Sequence, residues 1–176
     1  SEVAAINMVY GAAAAGARVL TSSSSPGIAL KQEGIGYISN AGLPAVIINM
    51  MRGGPGLGTI QPGQADYNMT VKGGANGDYH NVVLAPASVQ EAVNMVMEAF
   101  DIADQYLLPV IILADGLIGQ MMEPVEFNYV PRPNLPEKTW ALVGHYGAER
   151  SNIKNLVIEP DECEAWNHDH FKVYDE

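Results

Sequence analysis

The sequence is poor in cysteine and in basic residues. Its 176 residues include one cysteine, Cys163, which excludes an intrachain disulfide and a cysteine-ligated zinc site or iron–sulfur cluster. Lysine and arginine number 9 against 20 aspartates and glutamates, and the net charge of −11 at pH 7 argues against non-specific nucleic-acid binding. No apolar run reaches the ~18 residues of a membrane span, and no signal-peptide pattern is seen. We therefore expect a cytoplasmic protein that does not associate with membranes.

Apolar residues are plentiful by comparison. They make up 48% of the chain, whereas charged residues make up only 16%. The length suits one domain, with or without an appendage. This composition fits a well-buried α/β core, and it also fits a subunit that hides much of its surface against a partner.

Short apolar runs alternate with helical segments along the first two thirds of the chain. The predicted strands are Arg18–Thr21, Leu43–Met50, Val82–Ala85 and Pro109–Ala114, and the main predicted helices are Glu2–Ala17, Ile28–Asn40 and Ser88–Gln105. Continuous apolar strands that alternate with helices are typical of a parallel sheet covered on both faces. The sequence therefore predicts an α/β fold with a doubly wound, mostly parallel sheet. The segment Glu2–Ala17 is apolar on nearly all sides and is expected to be a buried helix.

The character of the chain changes after residue 126. A proline-rich stretch, Phe127–Pro136, is followed by a polar and acidic segment with weak periodicity. We predict an α/β domain over residues 1–126. Residues 127–176 are predicted to form an irregular C-terminal extension, an arm or linker toward a following domain or a partner.

A glycine-rich loop follows the predicted strand Leu43–Met50. It runs from Met51 to Tyr67 and carries Arg52, whose planar fork suits a carboxylate or a phosphate. Ligands of open α/β sheets bind outside the carboxyl ends of the strands. The loop has neither a Walker A pattern nor a Rossmann GxGxxG pattern. The serine-rich helix start at Ser22–Gly27 offers free backbone N–H groups to a polar ligand. These features alone fit a small-molecule-binding α/β protein as well as they fit an enzyme.

Several motifs taken together resemble one family. They are Ser1–Ala17, Ser22–Glu33 (SSSSPGIALKQE), Asn49–Tyr67 (NMMRGGPGLGTIQPGQADY), Gly73–Glu91 (GGANGDYHNVVLAPASVQE) and Ala114–Val125 (ADGLIGQMMEPV). In order and nearly without gaps, they resemble the α subunit of 2-oxoacid:ferredoxin oxidoreductases. RGGPGLG and GGANGDYH are most similar to the branched-chain type, which acts on 2-oxoisovalerate (3-methyl-2-oxobutanoate). Pyruvate and 2-oxoglutarate stay open as alternative substrates.

The resemblance implies a pyrimidine-binding module of a thiamine diphosphate enzyme. Such an enzyme decarboxylates a 2-oxoacid oxidatively to acyl-CoA and CO₂ and reduces ferredoxin. Thiamine diphosphate would be shared with a β subunit, and coenzyme A would be a co-substrate. Mg²⁺ and iron–sulfur clusters would sit on partner subunits, including γ and δ ferredoxin-like subunits. Because the family has a βα unit upstream and a further domain downstream, the chain is expected to be a fragment.

The resemblance also implies roles for individual residues. Glu2 is the expected catalytic acid, which hydrogen bonds to the ring nitrogen of the aminopyrimidine. Arg52 is expected near the substrate carboxylate or coenzyme A. The expected cofactor-binding residues are Ser24, Ser25, Pro26, Gly27, Gly53 and Gly54, and no metal ligand is expected in this chain. A non-catalytic assembly subunit of the same fold remains an alternative.

Overall fold

A computed structural model describes residues 1–144 and 151–175 and contains a four-stranded sheet in which every neighbouring pair is parallel. The strands are β1 (Leu20–Ser23), β2 (Ala45–Met51), β3 (Val82–Leu84) and β4 (Pro109–Asp115), in the order β1-β2-β4-β3. The helices are α1 (Glu2–Ala14), α2 (Ser25–Asn40), α3 (Tyr67–Val71), α4 (Val89–Tyr106), α5 (Gly116–Gln120) and α6 (Pro160–Phe171), with a 3₁₀ turn at Lys172–Asp175. None of the helices in the described residues is both long and apolar enough to cross a bilayer.

The central strands are covered on both faces because their side chains alternate. Ala45 and Ile47 of β2 pack with α1 and α2, whereas Val46 between them packs with α4 on the opposite face. Two separate apolar cores result, one on each side of the sheet. The predicted doubly wound parallel sheet is confirmed.

The strand order creates a switch in the direction of winding between β2 and β4. Helix α2 connects β1 to the adjacent β2 along one face, and α4 connects β3 to the adjacent β4 along the other face. Ligands of doubly wound folds bind in the crevice at the carboxyl ends of the strands, at such a switch point. The segments that follow β1, β2 and β4 are therefore the ones to examine for a site.

The predicted bounds of β1 and the predicted start of α2 are wrong. Strand β1 runs over Leu20–Ser23 instead of Arg18–Thr21, since the Arg18 side chain pairs with acidic residues of α4. Helix α2 begins at Ser25 instead of Ile28. Pro26 occupies its first turn, where the fixed φ of proline suits a helix start and no backbone donor is lost. The second half of the serine-rich segment Ser22–Gly27 therefore belongs to helix α2.

Helix α1 is only half buried, which contradicts the expectation of a buried helix. Ile6 and Val9 pack in the core, but Val3 is 49% exposed and Met8 is 70% exposed. Ser1 occupies the N-cap position without a side-chain hydrogen bond. An all-round apolar sequence predicts burial, and it cannot distinguish burial within a chain from burial against another surface.

The C-terminal extension contains a helix that the sequence analysis did not predict. Helix α6 begins with Pro160, has Asp161 and Glu162 in its first turn, and ends with histidines in its last turn. These charges suit the helix dipole, but the helix has no apolar stripe to give it a periodic signal. The Trp166 Nε1 donates to Asn40 Oδ1 at 3.2 Å, so α6 contacts the end of α2. Residues 145–150 of the extension lie outside the described residues.

A buried carboxylate ties the extension to the α/β layers. Asp101 of α4 is fully buried and accepts hydrogen bonds from Arg18 Nη2 (2.7 Å), the Tyr129 hydroxyl (2.8 Å) and the backbone N–H of Arg132 (2.7 Å). Burial by itself would raise the pKa of Asp101, but these three donors and the charge of Arg18 hold the pKa below its ordinary value. The same burial and the adjacent carboxylate raise the pKa of Tyr129 to about 12.

We expect Asp101→Asn to lower the free energy of unfolding at pH 7 by about 2–3 kcal/mol, because it removes the negative charge and one of the two acceptor oxygens from a set of buried donors. The control is Glu98→Gln at the half-exposed Arg132–Glu98 pair (3.0 Å), which should cost less than about 1 kcal/mol. Because the folded-state pKa of Asp101 is lowered, its contribution is present above the ordinary carboxyl pKa and is lost as pH falls through the folded-state value. Urea unfolding at several pH values tests this, and equal losses in both variants would contradict it.

The loop after β2 is closed by its own backbone. The N–H of Thr59 donates to Gly53 O at 2.8 Å, and the N–H of Gly53 donates to Gln61 O at 3.1 Å. Gly58 has φ +57°, and a Cβ there would overlap the carbonyl oxygen of Gly53. Glycine is therefore required at this position both for conformation and for space.

We expect Gly58→Ala to open this loop, with the Thr59 amide exchanging hydrogen about 10-fold faster or more. The matched control is Gly56→Ala, because Gly56 also has positive φ (+68°) but has open space at the Cβ position. That variant carries only the cost of left-handed backbone, about 1–2 kcal/mol, and should keep the hydrogen bond between Thr59 and Gly53. Hydrogen exchange measured by mass spectrometry over residues 52–63 distinguishes the two variants. Equal exchange rates in Gly58→Ala and Gly56→Ala would refute the steric explanation.

Candidate functional site

The predicted site residues converge at the carboxyl edge of β1 and β2. Ser25, the first residue of α2, accepts a hydrogen bond on its Oγ from the backbone N–H of Arg52 at 3.0 Å. The same hydroxyl is 3.4 Å from the carbonyl oxygen of Arg52. This contact joins the start of α2, which follows β1, to the loop that follows β2.

Arg52 has spare hydrogen-bonding capacity. Its Nε is buried and has no hydrogen-bond partner in the described part of the chain. No salt bridge joins its guanidinium to a carboxylate in residues 1–144 and 151–175. A buried guanidinium donor without a partner is costly, so this geometry suits an anionic ligand.

Glu2 lies at the start of α1 and is partly exposed. Gly27 of α2 is close to it: a Cβ on Gly27 would be 3.2 Å from Glu2 Cγ and would overlap Ser23 Oγ. No hydrogen bond to the Glu2 carboxyl is formed by any of the residues that the structure describes. The carboxyl group is therefore available to a ligand at the junction of α1, β1 and α2.

A cavity of 740 Å³ opens between α2 and the glycine-rich loop. Three of the predicted cofactor-binding residues line it, namely Ser25, Pro26 and Gly54. Gly27 and Glu2 do not line this cavity. Ser24, Arg52 and Gly53 do not line it either, so the structure brings the predicted residues to one edge of the sheet but only some of them into this cavity.

The sequence analysis missed a polar pair beside the cavity. Asn49 of β2 is fully buried, and its Nδ2 donates to Asp66 Oδ2 at 2.9 Å, which orients the Asp66 carboxylate. Asp66 lines the cavity with the apolar side chains of Leu30 and Met69. An asparagine inside an otherwise apolar strand was the available signal, because a fully buried amide needs a polar partner.

Lys31 was also missed. It is 1% exposed, and its Nζ donates to Thr21 Oγ1 at 2.8 Å and to Ser22 O at 3.0 Å. Its position on α2 between Ile28 and Ile35, at spacings of three and four residues, places it on the buried face. A cation on the apolar face of a predicted helix would have identified it.

Asp115 has a structural role at the end of β4. Its Oδ1 accepts from the N–H groups of Leu117 (2.9 Å) and Ile118 (3.0 Å) and caps α5. Its Oδ2 accepts from Gln64 Nε2 at 3.2 Å, which links α5 to the glycine-rich loop. The hydrogen bond from Ile118, followed by that from Gln64, lowers the pKa of Asp115. Within the described ranges, no three metal-ligating side chains cluster.

Comparison with known proteins identifies the family. The model of the family described as "Pyruvate flavodoxin/ferredoxin oxidoreductase, thiamine diP-bdg" matches residues 1–146. The ketoisovalerate oxidoreductase subunit VorB of Methanothermobacter thermautotrophicus is 53% identical over 167 residues, which are 95% of this chain and 47% of that protein. The 2-oxoglutarate synthase subunit KorA of Archaeoglobus fulgidus is 46% identical over 125 residues, or 70% of this chain and 36% of that protein.

A solved structure supports the fold. The 2-oxoglutarate:ferredoxin oxidoreductase from Magnetococcus marinus, solved with 2-oxoglutarate, coenzyme A and succinyl-CoA bound, matches with a TM-score of 0.79 at 24% identity. The match covers 99% of this chain and 35% of that chain. The present chain spans about half the length of the VorB relative. The family match and the identities together show that the chain belongs to the thiamine diphosphate-binding family of pyruvate flavodoxin/ferredoxin oxidoreductases.

Proposed function

We propose that the protein to which this chain belongs is a 2-oxoacid:ferredoxin oxidoreductase that acts on a branched-chain 2-oxoacid such as 2-oxoisovalerate. One observation carries the proposal: a carboxyl group without a hydrogen bond, that of Glu2, lies against Gly27 at the start of α2 in a chain of this family. The substrate class rests on the 53% identity to a ketoisovalerate oxidoreductase subunit. The reaction is oxidative decarboxylation to acyl-CoA and CO₂ with reduction of ferredoxin.

The residues at the α1–α2 junction fit the aminopyrimidine end of thiamine diphosphate. Glu2 offers an unbonded carboxyl group, and because Gly27 has no side chain, the Glu2 side chain lies close to the first turn of α2. When bound, thiamine diphosphate supplies the electron sink for decarboxylation of a 2-oxoacid. Glu2 would hold a proton between its carboxyl group and a ring nitrogen, and Ser24 to Gly27 would line the same end of the pocket.

Arg52 is proposed to bind an anionic group, either the substrate carboxylate or coenzyme A. Its buried and unpaired Nε supplies a donor, and Ser25 holds its backbone in place. Gly53 and Gly54, which follow it, allow a ligand to come close to the loop backbone. Arginine suits this role because its guanidinium stays charged and binds carboxylates with two parallel hydrogen bonds.

The other components are proposed to lie on partner subunits. The exposed apolar face of α1, with Val3 and Met8, starts beside Glu2, so a β subunit docked there would complete a shared cofactor site. Mg²⁺ and the diphosphate group would be held by that subunit. Iron–sulfur clusters require thiolate ligands, and Cys163 is the one cysteine here, so they are assigned to γ and δ ferredoxin-like subunits.

Two alternatives remain. The first keeps the reaction but changes the substrate to pyruvate or 2-oxoglutarate, and the KorA relative at 46% identity favours the latter. The second is a non-catalytic small-molecule-binding or assembly subunit. An assembly role by itself does not require Arg52 Nε to be buried and unpaired.

The decisive experiment uses the full-length protein with its partner subunits, thiamine diphosphate, Mg²⁺, coenzyme A and a viologen dye as electron acceptor. We expect dye reduction with 2-oxoisovalerate at a kcat/KM at least about 10-fold above that for pyruvate or 2-oxoglutarate, a discrimination of about 1.4 kcal/mol. Preference for another acid would correct the substrate class. A stable complex that reduces the dye with none of them would favour the non-catalytic alternative.

Glu2→Gln is the variant to include in that assay. It keeps the shape of the side chain but cannot hold the proton, so kcat should fall by about 100-fold or more while the subunits still assemble. Glu33→Gln, which removes an exposed carboxylate on α2, is the matched control and should keep normal turnover. Turnover by Glu2→Gln at the rate of the unmodified enzyme would eliminate the proposed role.

Arg52→Ala should raise the KM of whichever anion Arg52 binds by about 10- to 100-fold, with a smaller change in kcat, since a charge-assisted hydrogen bond contributes about 1.5–3 kcal/mol. Measuring KM separately for the 2-oxoacid and for coenzyme A identifies that anion. Arg52→Lys keeps the charge without the bidentate fork and should restore part of the affinity. If both KM values stay unchanged, Arg52 binds neither.

A further inference from the structure

Asn49 is a buried amide inside an otherwise apolar strand. It is fully buried in β2, and its Oδ1 has no hydrogen-bond partner among the described residues. Its Nδ2 donates to Asp66 Oδ2 at 2.9 Å. A buried amide that is only partly hydrogen-bonded destabilises a fold relative to an apolar side chain of the same shape. The packing of the strand therefore does not explain the asparagine, and what the asparagine does is hold the Asp66 carboxylate.

Asp66 does not use its carboxylate for the role that its position offers. It is the N-cap residue of α3, where an aspartate ordinarily accepts a hydrogen bond from a backbone N–H of the first turn, yet it makes no such bond. It forms no salt bridge within residues 1–144 and 151–175. The hydrogen bond from Asn49 fixes one carboxylate oxygen and leaves the remaining acceptor capacity of the group to another donor.

The cavity that Asp66 lines is otherwise apolar. It measures 740 Å³, and no lysine, arginine or histidine is found among the described residues of its lining. The other polar side chain of the lining, Ser25, is already hydrogen-bonded to the backbone of Arg52. A fixed carboxylate in such surroundings repels an anion and accepts a hydrogen bond from an N–H or O–H group. The cavity therefore suits an uncharged ligand portion that combines apolar carbons with hydrogen-bond donors.

Among the ligands of the proposed reaction, coenzyme A has such a portion. Its pantetheine arm is uncharged and carries amide N–H groups and a hydroxyl between apolar carbons, and its phosphates lie at the other end of the molecule. A 2-oxoacid at neutral pH presents only acceptor oxygens and a negative charge. The amine of thiamine diphosphate belongs to the aminopyrimidine, which the proposed function places against Glu2, and Glu2 does not line this cavity.

We propose that Asp66, oriented by Asn49, binds the pantetheine arm of coenzyme A in this cavity by accepting a hydrogen bond from an amide N–H of the arm. The inference rests on the proposed function and deepens it by assigning a binding residue to the co-substrate. Asn49 is a positioning residue, because it acts through Asp66. The phosphates of coenzyme A stay outside the cavity, since its described lining offers no cation to pair with them.

Direct binding of coenzyme A to the full-length assembled complex, measured by calorimetry without 2-oxoacid, is the first test. Asp66→Asn keeps the shape of the side chain, but with its oxygen on Asn49 it turns N–H groups toward the N–H of the ligand. We expect the Kd of coenzyme A to rise about 10-fold or more. Asp161→Asn is the matched control, because it removes an exposed carboxylate in the first turn of α6, and it should leave the Kd unchanged. An unchanged Kd in Asp66→Asn overturns the proposal.

Two fragments of coenzyme A locate the contact, each measured by competition with coenzyme A. Pantetheine lacks the nucleotide, and Asp66→Asn should weaken its binding by the same factor as that of coenzyme A. Adenosine 3′,5′-bisphosphate lacks the arm and should bind the unmodified and variant proteins equally. If the nucleotide fragment loses affinity and pantetheine does not, Asp66 contacts another part of the coenzyme and the proposal is wrong.

Asn49→Leu tests the positioning role. It removes the hydrogen bond to Asp66 with little change in volume, and it should raise the Kd of coenzyme A by about 3-fold or more. Because Asn49 acts through Asp66, the double variant should bind coenzyme A no more weakly than Asp66→Asn alone. Losses that add in the double variant would refute the positioning role.

Ala29→Trp carries the test if Asp66→Asn fails to fold. Ala29 is exposed on α2 and lines the cavity, so a large side chain there obstructs the cavity and leaves Asp66 and Asn49 in place. Pantetheine should bind this variant more weakly, and unchanged binding would show that the cavity is not its site.

Binding and turnover together distinguish failure of this inference from failure of the proposed function. A complex that oxidises 2-oxoisovalerate and binds coenzyme A equally well with and without the Asp66 carboxylate rejects this inference and keeps the proposed function. A complex that neither binds coenzyme A nor turns over any 2-oxoacid removes both.

Discussion

The contact between α1 and α2 is the constraint on which the candidate site depends. Gly27 and Gly34 carry no side chain at two positions of the stripe of α2 that faces α1, so Glu2 and Ile6 of α1 lie directly against that helix there. Any larger residue at either position would separate the two helices. The close approach brings a carboxyl group from one helix to the start of another, next to the end of β1. It also encloses Lys31, which lies on the same stripe and loses almost all of its exposure.

The site also requires that the connection from β1 to α2 and the loop after β2 be held together. Ser25 begins α2 and holds the backbone of Arg52, which follows β2. The loop beyond Arg52 closes on itself at Gly53 and Thr59, and Gln64 ties it to the cap of α5 through Asp115. Because the strands are parallel, all three connections emerge at the same edge of the sheet. Hydrogen bonds of both backbone and side chains therefore hold the glycine-rich loop that borders the cavity.

Much of the fold was predictable because its signal is local. Continuous apolar runs mark the strands, and the pattern Ser88 to Glu91 marks the start of α4, where Ser88 Oγ accepts from the N–H of Glu91 at 3.1 Å. The failures have a common origin. Arg18 was assigned to a strand because its partners, Asp101 and Asp104, are more than 80 residues away in the chain. Helix α6 was missed because it has charges suited to its ends but no apolar stripe.

The sequence by itself determined the family, the alternation of helices and strands, and the residue types at the site, since these depend on composition, motif order and local periodicity. It also supplied Glu2 and Arg52 as candidates. Only the tertiary structure decided that Gly27 touches Glu2, that Ser25 holds Arg52, and that Lys31 is buried beside them without a direct counterion. The physical reason is that these contacts join different elements. A local pattern specifies which face of an element is apolar, whereas the packing of one element on another specifies which polar groups share the space between them.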